Sequence, residues 1–257
     1  MIHPIEHAKT KDPLIIMGNG PSLRNINIDK LRDYDTFGIN NAYSIYSKIN
    51  FWPKYFLISD GSFLNEQRKK EVCELDKTPI EFLFLPFEHS NKNKIITISN
   101  DIRKPEEMYD TYKGKSLIHR IKHTGGSSIV TACKIGVCLE YTKIILLGID
   151  YDYTKDDSEK IDIKSFKCMG CPDCLDDKDC DIKEYSNVTD ANKNYWFDSY
   201  LRNGDATLLD KSTSLKFHEY FFGILMGCAK KMNVDIVNCN PNSNIKSFRT
   251  STLEKEL

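Results

Sequence analysis

An open, mostly parallel α/β sheet, Rossmann-like and with helices on both faces, is the fold class this sequence predicts, and three observations point to it. A run of four apolar residues, Leu14-Ile15-Ile16-Met17, reads as a strand buried on both faces. Similar short apolar runs then alternate with helix-patterned stretches, as they do in chains built from βα units. Finally, polar residues stand where the runs stop, at Asn19, Asn40, Asp60, Asp150 and Asn240. In open parallel sheets ligands bind outside the carboxyl ends of the strands, so five such ends together predict one site. Singly, each of these residues reads more readily as a turn former or cap.

The first strand gives way to Gly18-Asn19-Gly20-Pro21-Ser22-Leu23. Glycines here would let backbone approach a ligand closely and let φ turn positive. Pro21 suits a first helical turn and Ser22 can cap free N–H groups. Strand, glycine turn and helix start together predict an anion site, with phosphate the natural ligand; the plainer reading is an ordinary tight βα turn.

The remaining elements follow in order. Ile26 to Leu31 has helical spacing, and Thr36 to Asn40 reads as a second strand. Trp52 to Asp60 repeats the plan and stops at Asp60-Gly61-Ser62. Glu81 to Pro86 is a further strand candidate, followed by Ile95-Ile96-Thr97-Ile98. Thr124-Gly125-Gly126-Ser127-Ser128 leads into a helix over Ile129–Leu139, and Tyr141 to Leu147 is a strand closing at Gly148-Ile149-Asp150. A helix from about Ser214 to Met232 places Phe217, Phe221, Ile224, Leu225 and Cys228 on one face. Val234 to Asn238 is the last strand, closing at Asn240-Pro241-Asn242-Ser243. The chain therefore reads as one domain over 1–257. The polar stretch 154–212 is too long for a passive loop and is expected to form an inserted lid.

Composition narrows the class. The 257 residues are 40% hydrophobic and 28% charged, as in a soluble globular protein. A net charge of −1, with lysines scattered along the chain, argues against nucleic acid as a partner. No apolar run is long enough to span a membrane, and Met1-Ile2-His3-Pro4 does not open a signal peptide, so a cytoplasmic location is expected. Nine cysteines, an odd number, argue against a disulfide framework.

Four of those cysteines are clustered, at Cys168, Cys171, Cys174 and Cys180. Thiolates at CxxC spacing can hold one tetrahedral metal, and Gly170 and Pro172 suit the tight turns of a knuckle. The expectation is a structural zinc that folds a lid without a core of its own. An iron–sulfur cluster and metal-free cysteines are the other readings.

The block Ile15-Ile16-Met17-Gly18-Asn19-Gly20-Pro21-Ser22-Leu23, followed by Asn40, Ser127-Ser128, Gly148-Ile149-Asp150 and Asn240-Pro241-Asn242-Ser243, resembles the bacterial sialyltransferases of glycosyltransferase family 42. The resemblance runs from residue 14 to about 248, apart from the 154–212 insertion. It implies an inverting transfer of sialic acid, or a related nonulosonic acid, from a CMP-activated donor to a glycan hydroxyl, with no metal required for transfer. It implies that Asn19, Gly20, Pro21, Ser22 and Asn40 hold the nucleotide, with Asp60 at the third strand's end and Asp150 after the Gly-Ile motif. Ser127 and Ser128 would cradle phosphate or ribose, and Asn242 and Ser243 would face the cytosine and ribose. His218 matches the family's general base; without the resemblance it reads as a surface or capping histidine, and His123 is the competing imidazole. The family leaves room for homo-oligomers and peripheral membrane association, although the ending Thr252 to Leu257 has no amphipathic or basic tail.

Trp52-Pro53-Lys54-Tyr55 and the strand ending in Asp60 look more like a related family, the 6-hydroxymethylpterin diphosphokinase-like proteins. That resemblance implies diphosphate transfer from ATP, with Mg²⁺ on carboxylates such as Asp60 and Asp150. A third reading is a nucleotide-binding module without catalysis, using the zinc knuckle to recruit a partner.

Overall fold

The computed structural model describes residues 13–59, 66–87, 94–98, 127–151, 161–167, 179–185, 191–202, 205–208 and 211–257. Its core is an eight-stranded sheet made of β1 (Leu14–Met17), β2 (Asp35–Ile39), β3 (Tyr55–Leu57), β4 (Phe82–Leu85), β5 (Ile95–Thr97), β6 (Lys143–Leu147), β10 (Asp235–Asn238) and β11 (Arg249–Thr250). The order is β11-β10-β6-β1-β2-β3-β4-β5, and every neighbouring pair is parallel. From β1 the chain builds outward to β5 on one side, then returns to place β6 on the other. The topological switch therefore falls between β1 and β6, where an open α/β sheet keeps its ligand crevice.

Side chains of successive strand residues go to opposite faces, and both faces are covered. Leu14 and Ile16 join one apolar cluster with α3 (Ser128–Cys138) and α4 (Lys211–Lys231). Ile15 and Met17 join the other, with Leu23, Leu31, residues of α1 (Tyr43–Tyr46) and α2 (Glu66–Cys73), and Leu253 of α5 (Leu253–Glu256). This double burial explains the uninterrupted apolar run of β1, whose four residues are all buried.

At the amino edge of the sheet, Lys54 bonds both carboxylate oxygens of Asp35 at 2.9 Å, and Tyr141 donates to the same carboxylate. Tyr55 and Tyr141 share a hydrogen bond of 3.2 Å. That end is a closed polar knot, which leaves the carboxyl ends for the ligand.

Several expectations shift. Ile26 to Leu31 is not one helix: 3₁₀ turns run over Pro21–Asn25 and Ile28–Leu31, and Asn27 caps the second by accepting from the Asp29 N–H at 3.1 Å. A side chain that competes for backbone in this way ends a helix before it can lengthen. The third strand is only Tyr55–Leu57, shorter than the apolar pattern, and the helix expected from about Ser214 begins at Lys211. Outside the main sheet, β7 (Ile161–Lys167), β8 (Asp179–Tyr185) and β9 (Ala206–Leu208) form a three-stranded antiparallel sheet. Among the described residues, no helix is long and apolar enough to cross a membrane.

Candidate functional site

At the switch point the loops leaving β1 and β6 lie directly against each other. The Gly18 N–H donates to Leu147 O at 2.7 Å and the Gly20 N–H to Gly148 O at 2.8 Å. A Cβ at Gly18 would come within 2.4 Å of Gly148 O, and one at Gly20 within 1.7 Å of Asp150 Oδ2. Only Gly148, among the described glycines, has positive φ (66°); Gly20 sits at −72°. The first-turn glycines are thus needed for contact between two protein loops. This corrects the sequence expectation that they let φ turn positive.

The anion at the start of the following turn is a side chain. Asp150 Oδ2 accepts from the Ser22 N–H at 3.3 Å, while its Oδ1 accepts from Asn240 Nδ2. The Gly20 and Ser22 N–H groups are engaged within the protein and Pro21 has none, so these backbone donors of the turn are already bonded. The five-residue 3₁₀ turn at Pro21–Asn25 also replaces the longer helix on which the sequence reading of a phosphate site relied. Asp150 itself acts as a latch between the ends of β1, β6 and β10.

The end of β10 is tied down in the same manner. Asn240 Oδ1 accepts from the Asn242 N–H at 3.0 Å. Ser243 is buried, donates to Ile149 O at 2.6 Å and accepts from the Ile245 N–H at 3.1 Å. Its hydroxyl is therefore spent on the β6 loop, which corrects the expectation that it faces cytosine or ribose. Asn242, by contrast, is exposed.

Across the crevice, Asn40 takes the left-handed conformation (φ 52°) that asparagine tolerates better than most residues. Its Oδ1 accepts from Ser128 Oγ at 3.1 Å, and Ser128 Oγ lies 2.6 Å from Ser59 Oγ. A serine has one proton to donate, so Ser128 gives it to Asn40 and receives that of Ser59. Ser127 caps α3 by accepting from the Val130 N–H at 3.3 Å. The ends of β2 and β3 and the start of α3 are thereby joined in one hydroxyl–amide chain.

His218, on α4, packs edge-on against Tyr151 (centroids 4.9 Å, 77°) and near Phe222 at 6.3 Å. Tyr151 follows Asp150 directly and has φ 51°, a conformation that bulky residues adopt only under constraint. Loss of hydration in this apolar setting pulls the imidazole down to about 4. His218 is accordingly neutral near pH 7 and stands beside the β6 loop.

Sequence reasoning missed an aromatic strap inside the polar 154–212 stretch. The segment is closed on itself by Asn192, which donates to Leu201 O at 3.1 Å and accepts from the Leu201 N–H at 2.8 Å. It lies on the glycine turn: the Trp196 N–H donates to Asn19 O at 3.1 Å, and Asn19 Nδ2 donates to Tyr200 Oη at 3.1 Å. Tyr195 and Tyr200 stack at 4.0 Å. The strap is anchored by Arg68 of α2, which is fully buried, bonds Tyr200 O at 2.8 Å and pairs with Asp205 at 2.6 Å. A readable signal existed: Tyr195, Trp196, Phe197 and Tyr200 are four aromatics in six residues of a polar stretch.

Asp60, His123, Cys168, Cys171 and Cys174 lie outside the described residues, and for Cys180 only the backbone position is described, opposite Phe166 in the β7–β8 ladder. Among the described residues no group of three or more His, Cys, Asp or Glu is placed to hold a metal ion. Both Asp150 oxygens receive N–H donors, so this carboxylate does not present itself as a Mg²⁺ ligand.

The fold defines an open, parallel α/β protein whose β1 and β6 ends meet at a topological switch point, the place where such sheets bind their ligands. A family model described as 6-hydroxymethylpterin diphosphokinase MptE-like matches residues 1–156, and the chain belongs to that family. No curated protein sequence matches it. Among solved structures it is similar to the sialyltransferase CstII from Campylobacter jejuni in complex with cytidine-5'-monophosphate, with TM-score 0.50 and 16% identity over 97% of this chain and 88% of that one. A CstII complex with CMP-3FNeuAc gives TM-score 0.43 and 17% identity over 95% and 88%. The likeness to the first complex is one of fold.

Proposed function

We propose that this protein is an inverting glycosyltransferase that moves sialic acid, or a related nonulosonic acid, from a CMP-activated donor to a glycan hydroxyl. The observation that carries the reading is His218, a neutral imidazole beside the Asp150–Tyr151 loop at the carboxyl end of β6. The fold shared with a CMP-complexed sialyltransferase supports the choice of donor.

In this reading the acceptor hydroxyl gives its proton to the His218 ring as its oxygen attacks the anomeric carbon. The bond from that carbon to the phosphate oxygen breaks on the opposite face, inverting the configuration, and CMP departs with the bonding pair. Ser127, Ser128 and Asn40, at the start of α3 and the end of β2, hold the nucleotide and its phosphate, and Asn242 is the exposed polar group offered from the β10 end. The reaction proceeds without a metal. A structural zinc on Cys168, Cys171, Cys174 and Cys180, a cytoplasmic site of action and self-association belong to the same proposal.

The family's own description favours a second reading, diphosphate transfer from ATP with Mg²⁺. The engagement of Asp150 by Ser22 and Asn240 weighs against it. A thermal-shift panel of CMP, CDP, UDP, GDP and ATP, with and without Mg²⁺, separates the two, because a ligand that binds only the native state raises its melting temperature. Stabilisation by CMP alone, without metal, is the expected result. Stabilisation by ATP only with Mg²⁺ would transfer the protein to the second class.

A further inference from the structure

The loop that joins β10 to β11 grips two neighbours at once. On one side Asn244 holds the β6 loop: its backbone N–H donates to Asp150 O and its Nδ2 to Tyr151 O, each at 2.9 Å. On the other side the loop meets α4, where the Lys246 N–H donates to Glu219 Oε1 at 2.6 Å and Ser247 Oγ donates to Glu219 Oε2. Phe248 adds an apolar tie to the same helix, its ring centroid 4.8 Å from that of Phe222. The loop is rooted in the core, since Ile245 and Phe248 are buried. Between the two grips lies the ring contact of Tyr151 with His218. A tyrosine keeps a left-handed backbone only where its surroundings impose it. Here the two bonds from Asn244, on the carbonyls before and after the Tyr151 Cα, impose it.

We infer that Glu219 and Asn244 are positioning residues for His218: through the β10–β11 loop they clamp Tyr151 to α4, and the tyrosine ring then fixes where the imidazole stands. The inference rests on the reading of His218 as the general base and adds the device that holds it. Glu219 serves as a pair of acceptors and not as a charge, because both its oxygens are turned to the loop. What lowers the neighbouring imidazole is loss of hydration. Proton transfer needs the base within hydrogen-bond reach of the acceptor hydroxyl, and a misplacement of about 1 Å costs about 10²-fold in rate.

The test follows CMP release from CMP-sialic acid, with a panel of glycan acceptors, for the full chain and its Glu219→Ala, Glu219→Gln and Asn244→Ala forms. Each is assayed with His218 intact and in a His218→Ala background. With His218 intact, Glu219→Ala and Asn244→Ala should lower kcat by about 10–10²-fold while CMP affinity stays within about twofold. In the His218→Ala background the same changes should alter the residual rate by less than about twofold, because residues that act through one group do not add. A general loosening of the fold would slow both backgrounds alike. Glu219→Gln should keep kcat within about threefold, since its Oε1 can accept from Lys246 and its Nε2 can donate to the Ser247 hydroxyl. Crystal structures give a readout apart from rate: in Glu219→Ala the Tyr151 ring should part from His218. If Glu219→Ala does not fold, Asn244→Ala, whose side chain is exposed, carries the same comparison. Effects that add fully to His218→Ala, a Glu219→Gln form as slow as Glu219→Ala, or an unmoved Tyr151–His218 contact would each overturn the inference and leave His218 as the base. Near-normal CMP release in His218→Ala alone would remove the inference together with the reading beneath it.

Discussion

The carboxylate of Asp150 lies 3.3 Å from the backbone N–H of Ser22, so the first turn after β1 is met by an acid that belongs to the protein. The same carboxylate accepts from Asn240, and one side chain thereby holds the ends of three strands together. This arrangement decides how the crevice is built and how its carboxylate should behave when changed.

Replacing Asp150 by Asn keeps the shape but substitutes an NH₂ group for one acceptor. Whichever way the amide turns, it faces a donor from Ser22 or Asn240, and a buried donor left without an acceptor costs about 1–3 kcal/mol. Urea unfolding should show a loss of that size. A variant as stable as the parent that has lost a Mg²⁺-dependent activity the parent shows would favour the metal-dependent reading.

His218→Ala should lower sugar transfer by about 10²–10⁴-fold while CMP affinity stays within about twofold, because the base acts on the acceptor. Product formation and calorimetry on the same preparation check this. Near-normal turnover would remove His218 from the mechanism.

The depressed His218 also ties stability to pH. Its folded-state value of about 4 lies below the ordinary 6.5, so between these limits the unfolded chain binds the proton more readily. Its contribution is complete above about pH 6.5 and is lost as pH falls through about 4, amounting to about 3 kcal/mol at most. Unfolding free energies at pH 7, 6, 5 and 4.5 should fall along this limb, and the His218→Phe protein should show a flatter one.

Arg68 and Asp205 form a buried ion pair that fastens the aromatic strap to α2. Arg68→Met takes the guanidinium away from the buried Asp205 carboxylate, which should cost about 3–5 kcal/mol, and the pair Arg68→Met with Asp205→Leu should recover much of it. Chemical denaturation of the three proteins measures the difference.

Metal analysis addresses the cysteine cluster. We expect about one zinc ion per chain as purified and a lower melting temperature after chelation. In Cys171→Ser the metal should be absent, and a metal-free parent would discard the zinc knuckle.

Much of the sheet was legible because a strand buried on both faces must be apolar throughout: β1, β4 and β6 stand out as runs of four such residues. The two residues of β11 carry no such run, since Arg249 and Thr250 are exposed, and they escaped notice for that reason. Likewise Asn19, Asn40 and Asp150 were identifiable as strand-end polar groups, whereas what each bonds to was not. Tyr200 meets Asn19 across 181 positions and Asp150 meets Ser22 across 128, distances over which no local pattern carries a signal.

By itself the sequence determined the alternation of buried strands and helices, and with it a parallel sheet whose polar ends gather at one edge. Periodicity and composition act over a few residues, and burial on both faces writes itself directly into them. Only the tertiary structure decided that the Gly18, Gly20 and Ser22 N–H groups are bonded within the protein, that an aromatic strap covers the glycine turn, and that the Asn19 side-chain oxygen meets no donor among the described residues. Those facts depend on which groups from distant strands meet, and hydrogen bonds between strand ends are settled by the order in which the sheet is assembled.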